Sequence, residues 1–433
     1  MSVVFEVPSS KSISQRALIA AALADGCSGL HGLSRCRDTQ VVIEAIRQLG
    51  AWVDDCTDPV LVKGIGAPVN ALPKDRAEIG TDAEDLPVGP VDCGESAAAL
   101  RFLIPLFAQS GKRCLFTGKG RLLERPQTVY ETIYGTEGRS FTNNGAYIAV
   151  KGRLKPGTYT LPGDVSSQFV SGLMMLLPML EGDSEIVLST PLQSAPYVDL
   201  TLSVLSMAGV KAEILRDRSG ITGVHIPGRQ RFLPFDITVE ADWSSAAPLL
   251  AAAMLCGQDA KVKGLNMESL QADRAITGIL NAFAEEAEGP CCPGAQRPHR
   301  FKAIEADISD CPDLGPLLFA AATQAEGTSV FRGCARLRLK ESDRIACMEQ
   351  QLKKLGCSIH SDEDAVYVRG KTAVKGGTTV SGCGDHRIVM ALAVLALTAE
   401  EPVAIEGAEA VSKSFPEFFG QLEKLGRSRF TAR

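Results

Sequence analysis

Hydrophobic and polar positions alternate along this chain on a scale much longer than a helical turn. Six times, a short polar loop gives way to an almost uncharged apolar stretch, usually closed by glycine. The segments are PSSKSISQRALIAAALADG from Pro8, DCGESAAALRFLIPLFAQSG from Asp92 and GDVSSQFVSGLMMLLPMLEG from Gly163. They continue with ADWSSAAPLLAAAMLCG from Ala241, CPDLGPLLFAAATQAEG from Cys311 and GDHRIVMALAVLALTAE from Gly384. The 433 residues thus divide into six units of roughly 72, and such a period marks a repeat architecture. Richness in Ala, Leu and Met predicts a helix over each stretch, apolar all round and therefore buried on every side. The Ser, Thr or Asp before each stretch suits an N-cap. Between them, Ser184–Leu188 and Thr328–Phe331 read as strands, as does RCLFTG around Cys114. Ser342–Leu355 has the spacing of an amphipathic helix. Each unit is expected to be α/β, its central helix shielded by sheet and outer helices.

Composition narrows the function classes. Hydrophobic residues at 45% and charged residues at 22% are the values of a soluble globular protein, and the length implies two or more domains. A net charge of −6 argues against general binding of nucleic acid or anionic membranes, but not of anionic small molecules. The longest apolar runs, Ile388–Leu397 and Leu173–Leu180, fall far short of a span of about 20 residues. MSVVFEVPSS lacks a basic region followed by an apolar run, so neither a secretory signal nor a transit peptide is expected. The thirteen cysteines then read as free thiols in the cytoplasm. Adjacent Cys291 and Cys292 lie near His299, but no CxxC pair exists and no metal or other cofactor is expected. Gly370–Lys371–Thr372 lacks the leading Gly of a phosphate loop, position 365 being Ala, and GKGRLLE at Gly118 lacks the third Gly of a dinucleotide fingerprint.

A buried helix presents unpaired N–H groups and partial positive charge at its N-terminus, and several such ends together form an anion site. Cationic residues gather at these ends: Lys11 and Arg16 in SKSISQR, Arg101 in the second helix, Arg125 in ERPQT, Lys340 and Arg344 in LKESDR. Arg387 in GDHR, beside Asp385 and His386, and Lys413 in SKSFPEFF complete the set. Singly, each reads as a salt-bridged structural charge; at repeated helix N-termini they look like a site for phosphate and carboxylate. Asp313 and Glu341 are the acid/base candidates, against plainer readings as a first-turn acid and a surface ion pair. The residues alone thus support an α/β repeat protein with an anion-binding cleft.

The motifs SKSISQRAL, CGESAAALRF, ERPQT, GDVSSQF, SAPYVDLTL, ADWSSAA, CPD, LKESDRI, GDHRIVMALAV and SKSFPEFF, in this order, resemble the 5-enolpyruvylshikimate-3-phosphate synthases. That resemblance implies two similar domains, each of three βαβαββ-type units around three buried helices, an inverted α/β barrel-like fold with its active site in the interdomain cleft. It implies domains of residues 1–9 with 236–433 (units 4–6) and 10–235 (units 1–3). It implies transfer of the enolpyruvyl group of phosphoenolpyruvate to the 5-hydroxyl of shikimate 3-phosphate through a tetrahedral intermediate, in aromatic amino-acid biosynthesis, by a monomer acting on small molecules. The implied catalytic residues are Asp313, base for the 5-hydroxyl, Glu341, acid and base at the methylene carbon, and Lys11. Those implied for shikimate 3-phosphate are Lys11, Ser12, Arg16, Ser166, Ser167, Gln168, Ser194, Tyr197, Asp313 and Lys340. Those implied for phosphoenolpyruvate are Lys11, Ala97, Arg125, Gln168, Arg344, His386, Arg387 and Lys413.

The chain departs from the family pattern at Ala97 and Ala98, where Gly and then Thr or Ser are usual. The added Ala97 methyl group implies reduced sensitivity to glyphosate, which occupies the phosphoenolpyruvate pocket in this family. Arg336 stands for a frequent Asn and Ala195 for a frequent Lys or Arg, and the segment Glu285–Arg300 reads as an extra surface loop. Two other readings compete. The UDP-N-acetylglucosamine enolpyruvyl transferases share the fold and chemistry, but their first motif would read AKN where this chain reads SKS. A non-catalytic anion-binding relative is supported only by the run Ala97–Ala99, and it would not need both Asp313 and Glu341.

Overall fold

The computed structural model describes residues 2–66, 88–218, 220–285, 300–427 and 429–433. Most of the segment read as an extra loop, with Cys291, Cys292 and His299, lies outside the described residues. The chain forms two compact units, Met1–Pro8 with Glu240–Arg433, and Ser9–Val239.

All six apolar stretches are helical: α1 (Lys11–Leu23), α2 (Ala97–Ala108), α3 (Ser167–Leu176), α4 (Trp243–Leu255), α5 (Gly315–Ala322) and α6 (His386–Ala396). Burial runs round almost the whole circumference; in α1 every residue from Ile13 onward is buried. Ala- and Leu-rich helices with so few polar side chains can sit this way because they take little polar surface out of water. Ser10, Ser96, Ser166, Asp242 and Asp385 cap five of them, each accepting a bond from a first-turn N–H. The fifth differs from expectation. Pro312–Leu314 forms a 3-10 turn ahead of α5, no side chain caps that helix, and it is only 8 residues long. In the Ser9–Val239 unit, α2 and α3 approach backbone to backbone at Gly172, where a Cβ would lie 2.4 Å from Arg101 O, and also 2.6 Å from Tyr130 Oη.

The strands repeat one topology. Val88–Asp92, Cys114–Thr117, Ile148–Lys151 and Ser140–Asn143 form a sheet in that order, a parallel pair followed by two antiparallel neighbours. Thr158–Leu161, Ser184–Leu188, Gly220–Ile226 and Glu213–Asp217 repeat it, as do Glu305–Asp307, Thr328–Arg332, Val366–Arg369 and Ser358–Ser361. Strand Asp236–Thr238 completes the same pattern around Cys27–His31, pairing parallel with it. Strand Val3–Phe5, which precedes α1 in sequence, pairs instead with Ala260–Val262, and both belong to the Met1–Pro8 with Glu240–Arg433 unit. Each unit thus takes a strand from the opposite end of a crossing. This places the crossings at Pro8–Ser9 and Val239–Glu240, the second later than the expected break between 235 and 236. The strand that follows that break belongs with the sheet behind it.

Candidate active site

In the Ser9–Val239 unit the helix starts are tied to one another by polar side chains. Lys11, the first residue of α1, reaches Asp38 with Nζ 3.0 Å from Oδ2. Gln15 Nε2 donates to Asp38 O and to the α2 cap Ser96 Oγ, both at 3.0 Å. Arg101 on α2 donates to the α3 cap Ser166 Oγ at 3.2 Å and to Gln168 Oε1 at 2.9 Å, and stacks over Phe169. Arg16 is 2% exposed. It donates to Thr201 Oγ1 at 2.8 Å, Ser12 O at 2.9 Å, and Ser171 Oγ and Tyr197 O at 3.4 Å. These acceptors are neutral oxygens, so they satisfy its geometry without cancelling its charge. Burial pushes its pKa down to about 10, which leaves it cationic at neutral pH. Ser167 is buried, Ala97 opens α2 at 6% exposed, and Arg125 ends the 3-10 turn Leu122–Glu124. Ser194 holds φ of +58°, a left-handed conformation that costs a non-glycine residue energy and persists where the surroundings demand it.

In the other unit the charges converge on Arg344, the first residue of helix Arg344–Lys354, at 1% exposed. Its Nη1 lies 2.8 Å from Asp313 Oδ1, its Nη2 3.0 Å from Glu341 Oε2, and its Nε 2.8 Å from Asp385 Oδ2. Lys340 Nζ approaches Asp313 at 3.1 Å and Lys413 Nζ approaches Glu341 at 3.2 Å. Arg387 Nη2 lies 3.7 Å from Asp313 Oδ2, and its Nη1 donates to Ser244 O at 2.7 Å. His386, buried, sits with Nδ1 3.7 Å from Asp385 Oδ1. Asp385 caps α6 through the Arg387 N–H at 2.9 Å and accepts from Ser342 Oγ at 3.1 Å. Burial alone would raise the Asp313 pKa, but Lys340, Arg344 and Arg387 outweigh it and hold this carboxyl well below the usual range. Burial pushes Lys340 down to about 8, helped by Arg336 and Arg344 and opposed by Asp313. Two carboxylates are therefore bridged by one guanidinium and flanked by ammonium groups, an arrangement able to move protons beside a bound anion. Among the described residues, no group of three His, Cys, Asp or Glu is placed to hold a metal ion.

A family model described as EPSP synthase (3-phosphoshikimate 1-carboxyvinyltransferase) matches residues 2–422. The chain belongs to the EPSP synthase family. It is 37% identical over 423 residues to the 3-phosphoshikimate 1-carboxyvinyltransferase of Clostridium kluyveri, a match covering 97% of this chain and 94% of the relative. To the protein of the same name from Clostridium novyi it is 35% identical over 422 residues, with the same coverage. The 2.37 Å structure of EPSP synthase from Acinetobacter baumannii matches with a TM-score of 0.74 at 24% identity, covering 99% of this chain and 96% of that one. The enolpyruvyl transferase NikO from Streptomyces tendae matches at 0.71 and 18% identity, covering 99% and 95%. At such identities these two likenesses speak for the fold alone.

In this EPSP synthase family member, Asp313, Lys340, Glu341, Arg344, Arg387 and Lys413 form one bonded group, while Lys11, Arg16, Ser166 and Gln168 lie at the helix starts of the other unit. Asp313 does lie in the first turn of the 3-10 segment Pro312–Leu314, and its carboxylate is paired with Lys340 and Arg344 besides; Glu341 belongs to a largely buried network, not to a surface pair. Four further residues bond to members of these two groups: Asp38 to Lys11, Arg101 to Gln168, Asp385 to Arg344 and Ser244 to Arg387. Arg101 and Asp385 lie in the six-fold motifs and were visible as charges; Asp38 is 27 residues from its partner and carries no local signal.

No helix among the described residues is long and apolar enough to cross a membrane. The described cysteines are free, and Cys114 is buried in strand Cys114–Thr117.

Proposed function

We propose that this chain transfers the enolpyruvyl group of phosphoenolpyruvate to the 5-hydroxyl of shikimate 3-phosphate. The observation that carries the reading is Arg344 bridging Asp313 and Glu341, 2.8 Å and 3.0 Å away, among Lys340, Arg387 and Lys413. Membership of the family supports the same reaction. Asp313 takes the proton of the attacking hydroxyl as its oxygen bonds to the enol carbon, and Glu341 gives a proton to the methylene carbon. The product is a tetrahedral phospho-lactyl adduct. Glu341 then takes a proton back from the new methyl group, the carbon–oxygen bond to phosphate breaks, and phosphate leaves. Arg125, Arg344, His386, Arg387 and Lys413 hold the two anionic groups of phosphoenolpyruvate. Arg16, Ser12, Ser166, Ser167, Gln168, Ser194 and Tyr197 hold shikimate 3-phosphate, and Lys11 serves both substrates. Cations in a partly dehydrated site stabilise charge far better than they would in water. In this reading the enzyme acts as a monomer in the cytoplasm, without nucleic acid, membrane or cofactor.

Phosphate release from phosphoenolpyruvate, with shikimate 3-phosphate, shikimate and UDP-N-acetylglucosamine offered separately, tests this. Release is expected with shikimate 3-phosphate alone. Release with the nucleotide sugar would reassign the acceptor, and tight ligand binding without release would make the chain a binding relative.

The Ala97 side chain projects from the first turn of α2, immediately after the cap Ser96. In the proposed function its methyl group narrows the phosphoenolpyruvate pocket where glyphosate is bulkier than the substrate. Ala97→Gly is expected to lower the glyphosate inhibition constant by about tenfold or more while changing the phosphoenolpyruvate KM much less, since a methyl-sized clash is worth roughly 1–3 kcal/mol. Equal inhibition of the two proteins would remove Ala97 from the pocket.

A further inference from the structure

A buried acid that the proposed chemistry does not use lies next to the cation group. Asp273, in the 3-10 turn Ala272–Ala275, is 2% exposed. Its Oδ2 accepts the Ser244 hydroxyl, and its Oδ1 is buried with no hydrogen-bond partner among the described residues. Ser244 is the second residue of α4, and its N–H donates to the cap Asp242 at 3.2 Å. The main-chain oxygen of the same Ser244 receives Arg387 Nη1 at 2.7 Å. Arg387 Nε is likewise buried with no hydrogen-bond partner among the described residues, so Ser244 O supplies the short bond that fixes this guanidinium, with Asp313 farther off at 3.7 Å. One residue therefore joins the acid to the cation: hydroxyl to Asp273, carbonyl to Arg387.

We infer that Asp273 is a positioning residue for Arg387, acting through Ser244 to hold the guanidinium where an anionic phosphate or carboxylate is bound. The inference rests on the proposed function for the identity of that anion, phosphoenolpyruvate. The charged and titratable groups facing Asp273 are Asp313 from the turn before α5, Arg387 from α6, Asp242 before α4, and the buried thiol of Cys311. Burial, together with the charges of Asp313 and Asp242, pushes Asp273 up to about 7, against the pull of Arg387 and the Ser244 hydroxyl. Below that pH Asp273 is neutral and Arg387 offers more of its charge to a ligand. Above it Asp273 is ionised and competes with the ligand for the same cation, so affinity for the anion falls as pH rises through about 7.

The test compares Ser244→Ala, Asp273→Ala, Asp273→Asn and the double alanine variant with the native enzyme. At pH 6, where Asp273 is neutral and does not compete for the cation, Ser244→Ala and Asp273→Ala are each expected to raise the phosphoenolpyruvate KM by about tenfold with kcat changed much less, and the double variant to be no worse, because both break one link. Asp273→Asn keeps an oxygen for the Ser244 hydroxyl but cannot ionise. It is expected to retain a near-native KM at pH 6 and to lose the native rise in KM between pH 6 and 8; ionisation of the substrate itself is common to both proteins. Losses that multiply in the double variant, or an Asp273→Asn profile that still rises with pH, would overturn the inference. Should Asp273→Ala fail to fold, Ser244→Ala and Asp273→Asn carry the test unaided. Calorimetric binding of inorganic phosphate to the native protein and Ser244→Ala reads the same link without turnover. A native protein with no phosphate release would sink the proposed reaction, whereas unchanged phosphate affinity in Ser244→Ala would sink this inference.

Discussion

Asp313→Ala is expected to lower turnover by about two to four orders of magnitude while making phosphoenolpyruvate bind more tightly. The two effects have different origins. Turnover falls because the hydroxyl proton loses its acceptor. Binding tightens because Asp313 neutralises Lys340, Arg344 and Arg387 at 3.1, 2.8 and 3.7 Å, and without it those cations are left to the substrate. The signature is therefore kcat down and phosphoenolpyruvate KM down together. The same cations explain how an acid held so far below its usual range can act as a base. In the empty enzyme Asp313 is ionised at every working pH. Once phosphate and carboxylate groups satisfy the cations, their pull on Asp313 weakens and its proton affinity rises towards the useful range. The acid limb of kcat is accordingly expected at higher pH than any Asp313 limb in kcat/KM, with activity lost as pH falls through it. Steady-state kinetics of both proteins between pH 5 and 9 check this. A variant whose KM rises with its loss of kcat would show Asp313 to organise the site without serving as its base.

The fold was more legible than the site, for reasons visible in particular residues. A stretch such as AAALRFLIPLFA, apolar all round apart from Arg101, has no face fit for water, so helix and burial are both local properties. The fifth start looked like the others in sequence, but Asp313 spends its oxygens on Lys340 and Arg344 and leaves α5 uncapped and short. The strand Asp236–Thr238 could not be placed from its own residues, because its neighbour Gly29 lies 207 positions away. Charge partners suffer from the same distance. Arg344 stood out as a cation, yet the carboxylate that occupies its Nε, Asp385, is 41 residues on, and Ser244, which takes the Arg387 guanidinium, is 143 residues back. A motif reports that a charged residue is required; its partners come only with the packing of separate repeats.

Arg344→Ala is expected to be among the most destabilising single changes in the Glu240–Arg433 unit, costing about 3–5 kcal/mol, because it strands buried negative charge. Arg344 donates to three carboxylates at once, and Asp385 among them is 0% exposed. With the guanidinium gone, Asp385 keeps its bonds from Ser342 Oγ and Arg387 N, both from groups without a formal charge at that atom. Asp385 also caps α6, so its displacement would loosen the helix that carries Arg387. Arg344→Lys is expected to recover little, since one ammonium cannot fork between acids on three separate segments. The exposed pair Lys353–Glu349, 3.0 Å apart on the same helix, supplies the control. Lys353→Ala is expected to cost no more than about 1 kcal/mol. The sign of the pH dependence separates the cause from a loss of packing. Arg344 is one of the three cations that hold the Asp313 carboxyl below its usual range, so Arg344→Ala gives up part of the stability that depends on the ionised form of that acid. The deficit relative to native should then be largest near neutrality and shrink as pH falls through and below the ordinary carboxylate range, where protonation of Asp313 removes the same stability from the native protein. Denaturant unfolding at several pH values measures this. A deficit that stays constant with pH would assign the loss to a cavity, and one no larger than that of Lys353→Ala would remove Arg344 as the centre of the network.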